Sequence, residues 1–247
     1  MKIGLFDSGA GGLSVVKSLI KSNLFDEIIY YGDTARVPYG TKDKNTIIRY
    51  SLEALEFFNN FDIDLLITAC NTVSAYALDE MNSKSHYPVV GVVESGVLAL
   101  KREFIKRDDL ILIIATKATV KSKRYQIHLE NLGFKNIIAI QTGLFVPLVE
   151  EGIFDGEILD ATMRHYFRDI PTPRAIILGC THFPLISSSI SRYFNDRPLL
   201  IHSGDAIVEY LKDNYLLFNR GGGTDLKIFA SENVSHLRDI AKYWLSL

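Results

Sequence analysis

The sequence has no excess of positive charge and no long apolar run. Lysine and arginine number 27 against 29 aspartates and glutamates, which gives a formal net charge of −2. A protein that binds nucleic acid neutralises phosphates with basic residues, so we expect no nucleic-acid partner. No apolar run approaches the roughly 20 residues that cross a bilayer, and the first one ends at Asp7, unlike a signal peptide. We therefore expect a cytoplasmic protein with no membrane partner.

Cysteine is scarce, since Cys70 and Cys180 are the only two in 247 residues. Two cysteines in a chain of this length exclude a disulfide scaffold. There is no C-x-x-C pair and only one nearby histidine, His182, so the spacing does not fit a zinc site and we expect no metal. Free cysteines are often plain core residues. Their surroundings must therefore decide whether these two carry chemistry.

Short β-branched segments alternate with helical patterns along most of the chain. Continuous apolar strands separated by helices are typical of parallel sheets that are buried on both faces, which predicts an α/β fold. The pattern also predicts helices over residues 73–81 and 120–132. The predicted strands are residues 2–6, 27–31, 65–69, 89–93, 110–115, 137–140, 175–178, 199–201 and 226–229.

Two segments share one plan, LLITACNTVSA and AIILGCTHFPL. Each is an apolar strand, a small residue, a cysteine and then a predicted helix. This repetition predicts two similar doubly wound parallel-sheet domains with the active site in the cleft between them. We assign residues 1–95 and about 208–247, including the glycines at 221–223, to the first domain. Residues 96–207 form the second.

Polar loops follow four of the predicted strands, where open parallel sheets bind their ligands. They span residues 7–14, 32–40, 69–72 and 179–182. The first loop has Ser14 where a dinucleotide fingerprint needs glycine, and no phosphate-loop lysine follows. Its glycines suit either a tight turn or the approach of a small anion to a helix N-terminus. Asp7 either caps the following helix or acts on a substrate.

The matching contexts of the two cysteines favour acid–base chemistry. Each precedes a predicted helix, whose N-terminus is expected to lower a thiol pKa. A cysteine–histidine nucleophile is a rival, but it leaves the second thiol unexplained. Thiols on opposite faces of one carbon can remove a proton from one side and return one from the other, which inverts a stereocentre. No lysine context suggests pyridoxal chemistry, so we expect no cofactor.

Four motifs in this order, DSGAGGLSV, YYGDTARVPYG, ITACNTVSA and LGCTHFPL, resemble the glutamate racemases of the aspartate/glutamate racemase superfamily. The resemblance spans nearly the whole chain. It implies two α/β domains and reversible conversion of L- and D-glutamate without a cofactor. It also implies a supply of D-glutamate for peptidoglycan, and a homodimer.

The resemblance also implies roles for individual residues. Cys70 acts on D-glutamate with help from Asp7, and Cys180 acts on L-glutamate with help from His182. A P-L-V-E pattern adds a glutamate, which we assign to Glu150. Glu151 follows directly and is the alternative. The implied substrate-binding residues are Asp7, Ser8, Tyr39, Gly40, Asn71, Thr72, Thr181 and His182.

Thr116 and Thr119 follow another predicted strand and either join the substrate site or cap a helix. Two other functions stay open. An aspartate or broad-specificity amino-acid racemase would use the same chemistry, and pocket length would distinguish it. A non-catalytic small-ligand-binding protein is the alternative from another class, and the loss of one cysteine would mark it.

Overall fold

The structure is a computed structural model that describes residues 1–103, 105–217 and 222–246. Gly221 of the glycine triplet lies outside the described residues, as do positions 104, 218–220 and 247 of the two expected domains. The strands are β1 (Lys2–Asp7), β2 (Glu27–Gly32), β3 (Leu65–Thr68), β4 (Val89–Gly91), β5 (Ile111–Ala115), β6 (Ile137–Gln141), β7 (Ala175–Gly179), β8 (Leu199–Ile201) and β9 (Asp225–Ala230).

Helices alternate with these strands, as the sequence pattern predicts. They are α1 (Leu13–Ser22), α2 (Lys44–Phe58), α3 (Asn71–Tyr76), α4 (Leu78–Lys84), α5 (Val92–Ala99), α6 (Lys117–Ser122), α7 (Arg124–Asn131), α8 (Phe145–Glu150), α9 (Glu157–Phe167), α10 (Ser187–Tyr193), α11 (Ser203–Asn214) and α12 (Val234–Ser246). Short 3₁₀ turns cover Tyr39–Thr41, Leu100–Arg102 and Phe183–Ile186.

The strands form two parallel sheets. The first has the order β4-β3-β1-β2-β9 and the second has the order β6-β5-β7-β8. Every residue of β5 and β7 is buried, because helices cover both faces of the sheet. The predicted α/β class with two parallel sheets is confirmed.

Three predicted element boundaries are wrong. The helix predicted over 73–81 is two helices that meet at Ala77, and the one predicted over 120–132 bends at Lys123, whose φ of 57° is left-handed. The strand predicted over 89–93 ends at Gly91, because Val92 already begins α5. Apolar periodicity gave no sign of these breaks, because it reports which face of an element is buried and not where the backbone changes conformation.

The C-terminal segment returns to the first sheet. Strand β9 pairs with β2 in parallel, from Asp225 opposite Glu27 to Ala230 opposite Gly32. Leu237, Ala241 and Trp244 form the buried stripe of α12, which packs on α1. The expected domain boundaries near 95 and 208 fall inside α5 and α11, and these two helices pack against each other.

Among residues 1–103, 105–217 and 222–246, no helix combines the length and the apolarity that a membrane crossing requires.

Candidate active site

Each cysteine lies beside the point where the strand order of its sheet reverses. In the first sheet the chain passes from β1 to β2 on one side and then to β3 on the other, and Cys70 follows β3. In the second sheet it passes from β5 to β6 and then to β7, and Cys180 follows β7. Open α/β sheets bind ligands at this reversal, outside the carboxyl ends of the strands. Both cysteines therefore lie where a ligand is expected.

One small cavity brings the two reversal points together. Most of the predicted site residues line it, along with Val37, Pro38, Val146 and Gly179. The cavity volume is about 20 Å³, which is room for a single water molecule. Its described lining includes no lysine or arginine. The predicted residues in the lining are Ser8, Tyr39, Gly40, Cys70, Asn71, Thr72, Thr116, Cys180, Thr181 and His182.

Three further predicted residues contact this lining from behind. Asp7 is fully buried and accepts a hydrogen bond from the Thr181 hydroxyl at 3.3 Å. Oε1 of Glu150 lies 3.2 Å from Nε2 of His182. The structure therefore brings Glu150, the glutamate chosen from the P-L-V-E pattern, to the histidine. The Thr119 hydroxyl lies 3.0 Å from that of Thr72. All the residues predicted for the site therefore lie in or directly behind one cavity.

On the first side, Cys70 is only 6% exposed and donates from Sγ to the Ser8 hydroxyl at 3.5 Å. Burial raises the pKa of the Cys70 thiol to about 12, and the negative charge of Asp7 adds to this effect. The net lowering expected from a helix N-terminus is wrong for Cys70, because burial exceeds the lowering by the Val73 N–H in the first turn of α3. Helix α3 has only six residues, and desolvation of a buried thiolate outweighs so short a dipole.

Asp7 is held by backbone and side-chain donors at the start of the glycine loop. The Gly9 N–H donates to its Oδ2 at 3.0 Å. Burial raises the pKa of Asp7, although the charge of His182 and the hydrogen bonds from Gly9, Gly12 and Thr181 oppose this effect. The carboxyl group can therefore carry a proton more readily than an exposed aspartate.

On the second side, Cys180 lies against an imidazole. Sγ of Cys180 is 3.7 Å from Nδ1 of His182, whose other ring nitrogen reaches Glu150. Burial lowers the pKa of His182, but hydrogen bonds with Cys180 and Glu150 and the charges of Cys180 and Asp7 outweigh it and raise the pKa to about 10. The helix predicted directly after Cys180 is wrong, because the residues there form a turn and then the 3₁₀ segment Phe183–Ile186.

A triangle of threonine hydroxyls joins the two halves of the site. Thr72 lies 3.1 Å from Thr116 and 3.0 Å from Thr119, and these last two hydroxyls are 3.0 Å apart. Thr116 also caps α6 by accepting from the Thr119 N–H. Thr116 therefore caps a helix and lines the cavity, whereas Thr119 contacts the lining through its hydroxyl.

Asp33 is a buried carboxylate that sequence reasoning missed. Its Oδ2 accepts from the Tyr39 hydroxyl and from Nε of Arg36, the latter at 2.7 Å. Burial, followed by the hydrogen bond and charge of Asp33, raises the pKa of Tyr39. The phenol therefore stays protonated at the edge of the cavity. The signal was present in the sequence, because Asp33 directly follows β2 in the same loop as Tyr39.

The profile of the Asp/Glu/Hydantoin racemase family matches residues 11–211, and the chain belongs to this family. A curated protein named glutamate racemase, from Campylobacter jejuni subsp. jejuni, is 58% identical over 247 residues, which are 100% of this chain and 99% of that protein. The resemblance that the four motifs indicate is thereby confirmed.

Solved structures agree with this assignment. A crystal structure of glutamate racemase from Campylobacter jejuni subsp. jejuni matches with a TM-score of 0.98 and 57% identity, covering 100% of this chain and 99% of that one. Glutamate racemase from Francisella tularensis subsp. tularensis SCHU S4, crystallised in complex with D-glutamate, matches with a TM-score of 0.85 and 32% identity over 100% and 94% of the two chains.

Proposed function

We propose that this protein is a glutamate racemase that interconverts L- and D-glutamate by proton transfer between Cys70 and Cys180. The observation that carries the proposal is the shared cavity, which is lined by two thiols that follow strands of different sheets, with Asp7 as the charged neighbour of Cys70 and His182 as that of Cys180. Relatives of full length bear this name, and one of them was crystallised with D-glutamate.

In the L-to-D direction, Cys180 is the base and Cys70 is the acid. The imidazolium of His182 lies beside Cys180 and stabilises negative charge on its sulfur. The thiolate removes the α-proton from one face of the substrate, and the Cys70 thiol, which its raised pKa keeps protonated, delivers a proton to the other face. The products are D-glutamate, a Cys180 thiol and a Cys70 thiolate, so the proton balance closes.

In the D-to-L direction, Cys70 must be the thiolate, and burial opposes this state. Two positive contributions can offset the penalty. The substrate ammonium adds a positive charge beside the sulfur, and protonation of Asp7 removes a nearby negative one. The raised pKa of Asp7 favours that protonation. Asp7 therefore assists at Cys70, as His182 and Glu150 assist at Cys180.

The carbanion needs stabilisation, because the α-proton of an amino acid is far less acidic than a thiol. Hydrogen-bond donors that are fixed in a site without bulk water supply it most effectively. The hydroxyls of Ser8 and Thr72 line the cavity as such groups. The proposed reaction uses no cofactor, since the two thiols already provide the acid and the base.

Glutamate does not fit into a space of about 20 Å³. The two halves of the site must therefore separate for the substrate to enter and close again for the reaction. The threonine triangle and the contact of Asp7 with Thr181 are among the polar bonds that this opening would break.

The proposal extends to the setting of the reaction. A cytoplasmic homodimer would supply D-glutamate for peptidoglycan synthesis. Residues 1–95 and about 208–247 would form one domain and residues 96–207 the other. The pairing of β9 with β2 supports this division.

The direct test is racemisation in deuterated water without added cofactor. Each enantiomer of glutamate should gain solvent deuterium at the α-carbon as it becomes its antipode, and neither Cys70→Ala nor Cys180→Ala should racemise at a measurable rate. L- and D-aspartate are assayed in parallel and should turn over far more slowly. A requirement for pyridoxal phosphate, normal racemisation by Cys180→Ala, or faster turnover of aspartate would contradict the proposal.

A further inference from the structure

Asn71 lines the cavity, and the two polar atoms of its side chain differ in their hydrogen bonding. Its Oδ1 accepts a hydrogen bond from the Tyr125 hydroxyl at 2.5 Å. Its Nδ2 is buried and has no hydrogen-bond partner among the described residues. Because an amide nitrogen only donates, Asn71 presents an unused donor beside the two thiols.

Tyr125 is fixed behind Asn71. It is 1% exposed and lies in the first turn of α7, in the half of the chain that carries Cys180. Its ring packs beside Gly96 and Gly179, where an added Cβ would lie 3.7 Å and 3.3 Å from ring carbons. Burial raises the pKa of Tyr125, so the hydroxyl stays protonated and remains a donor.

An amide can also point the other way. A rotation of 180° would exchange Oδ1 and Nδ2 and turn an acceptor toward an anionic substrate, which would repel it. The distance of 2.5 Å to Tyr125 suits an O–H donor with a carbonyl oxygen, whereas N–H donors keep a longer distance. The tyrosine hydroxyl thus selects the orientation in which Nδ2 is left for the ligand.

We infer that Tyr125 is a positioning residue for substrate binding, since its hydroxyl orients the Asn71 amide so that Nδ2 can donate to a carboxylate of the substrate. This inference rests on the proposed racemase function. It assigns to the second half of the chain a part in binding through a residue that does not line the cavity.

The experiment measures KM and kcat for both glutamate enantiomers in the wild type, Tyr125→Phe, Asn71→Ala and the double variant. Tyr125→Phe keeps the ring and should raise KM about tenfold, the effect of one lost charge-assisted hydrogen bond. The value of kcat should change much less, because the lost contact binds substrate and transition state alike. In the Asn71→Ala background the same change should have no further effect.

The matched control is Tyr87→Phe. The Tyr87 hydroxyl also donates to an asparagine, Oδ1 of Asn59 at 3.1 Å, but that pair is exposed and outside the cavity lining. It should leave KM unchanged. A purely structural role for Tyr125 would lower the melting temperature without a KM change, or would add in full to Asn71→Ala, and either result overturns the inference.

Asn71→Asp gives an independent answer should Tyr125→Phe fail to fold. An aspartate still accepts from Tyr125 but has no donor, so KM should rise at least as much as in Asn71→Ala. Wild-type KM in that variant also overturns the inference. A wild type that does not racemise glutamate overturns the proposed function instead, and this outcome is seen before any variant is compared.

Discussion

Nδ1 of His182 lies 3.7 Å from Sγ of Cys180, and no comparable cation stands beside Cys70 in the described contacts. Cys70 instead has the carboxylate of Asp7 as a charged neighbour. The two sides of the cavity are therefore electrostatically unlike, although their strands and loops follow one plan. This difference favours proton transfer from a substrate to Cys180.

The protonation of His182 should make stability depend on pH. Its pKa is about 10 in the folded protein against the ordinary 6.5. A raised pKa gives stability that is complete below pH 6.5 and is lost as the pH rises through about 10. The free energy of unfolding in urea, measured from pH 6 to pH 10, should therefore fall with pH in the wild type and fall less in His182→Asn.

The control for this titration is His86→Asn, which removes an exposed histidine. It should reproduce the wild-type pH dependence. An equal slope in His182→Asn and the wild type would show that the imidazole is not charged in the folded protein.

Gly11 is one position where the glycine loop approaches the second half of the site. A Cβ there would overlap Oγ1 of Thr181 and lie 2.6 Å from Nδ1 of His182. Gly11→Ala should lower kcat/KM at least tenfold, and overpacking should cost about 1–3 kcal/mol of stability. Gly143→Ala is the matched control, because nothing lies within 4 Å of its added Cβ. Wild-type kcat/KM in Gly11→Ala would refute the close contact.

The threonine triangle should stabilise the closed cleft. Thr119 is fully buried, and its hydroxyl bonds to Thr72 and Thr116. Thr119→Val keeps the shape but removes these bonds, so the unfolding free energy should fall by about 1 kcal/mol and KM for glutamate should rise. Thr119→Ser retains the hydroxyl and should stay near the wild type in KM. Equal KM values for the two variants would contradict a role for the hydroxyl.

Asp33 should contribute to both stability and activity, although it does not line the cavity. Asp33→Asn weakens the bonds from Tyr39 and Arg36 to a fully buried carboxylate, and bonds to charged groups are worth about 1.5–3 kcal/mol each. Urea unfolding should show a loss in this range together with reduced activity. Glu53→Gln weakens the other, exposed partner of Arg36, and should cost less than about 1 kcal/mol. A larger cost for Glu53→Gln would reverse this interpretation.

The sequence was sufficient to predict the sheets and the meeting of the loops. Buried strands that alternate with helices must run parallel, and their carboxyl ends then share an edge. The bend at Lys123 was not predictable, because a left-handed φ of 57° at a non-glycine residue leaves no mark in the spacing of apolar residues. The pKa of Cys70 was predicted in the wrong direction, since burial depends on packing across β1 and β3, which no local pattern encodes.

Tyr125 shows why part of the site could not be predicted. It lies 54 positions from Asn71 in the chain and looks like an ordinary apolar position of an amphipathic helix. Asp33 and Tyr39, by contrast, occur in one loop, so their pairing could have been predicted from the sequence. Contacts between the two halves could be identified only from the structure.

The return of the chain to its first sheet has a consequence for biosynthesis. Strand β2 pairs with β1 on one side and with β9 on the other, and β9 is made after all four strands of the second sheet. During synthesis, the second sheet can assemble before β9 exists. The apolar strand β2, EIIYYG, then still has one unpaired edge. Open edges of this kind recruit other chains. Residues 225–230 therefore close, late in synthesis, an edge on which another chain can pair.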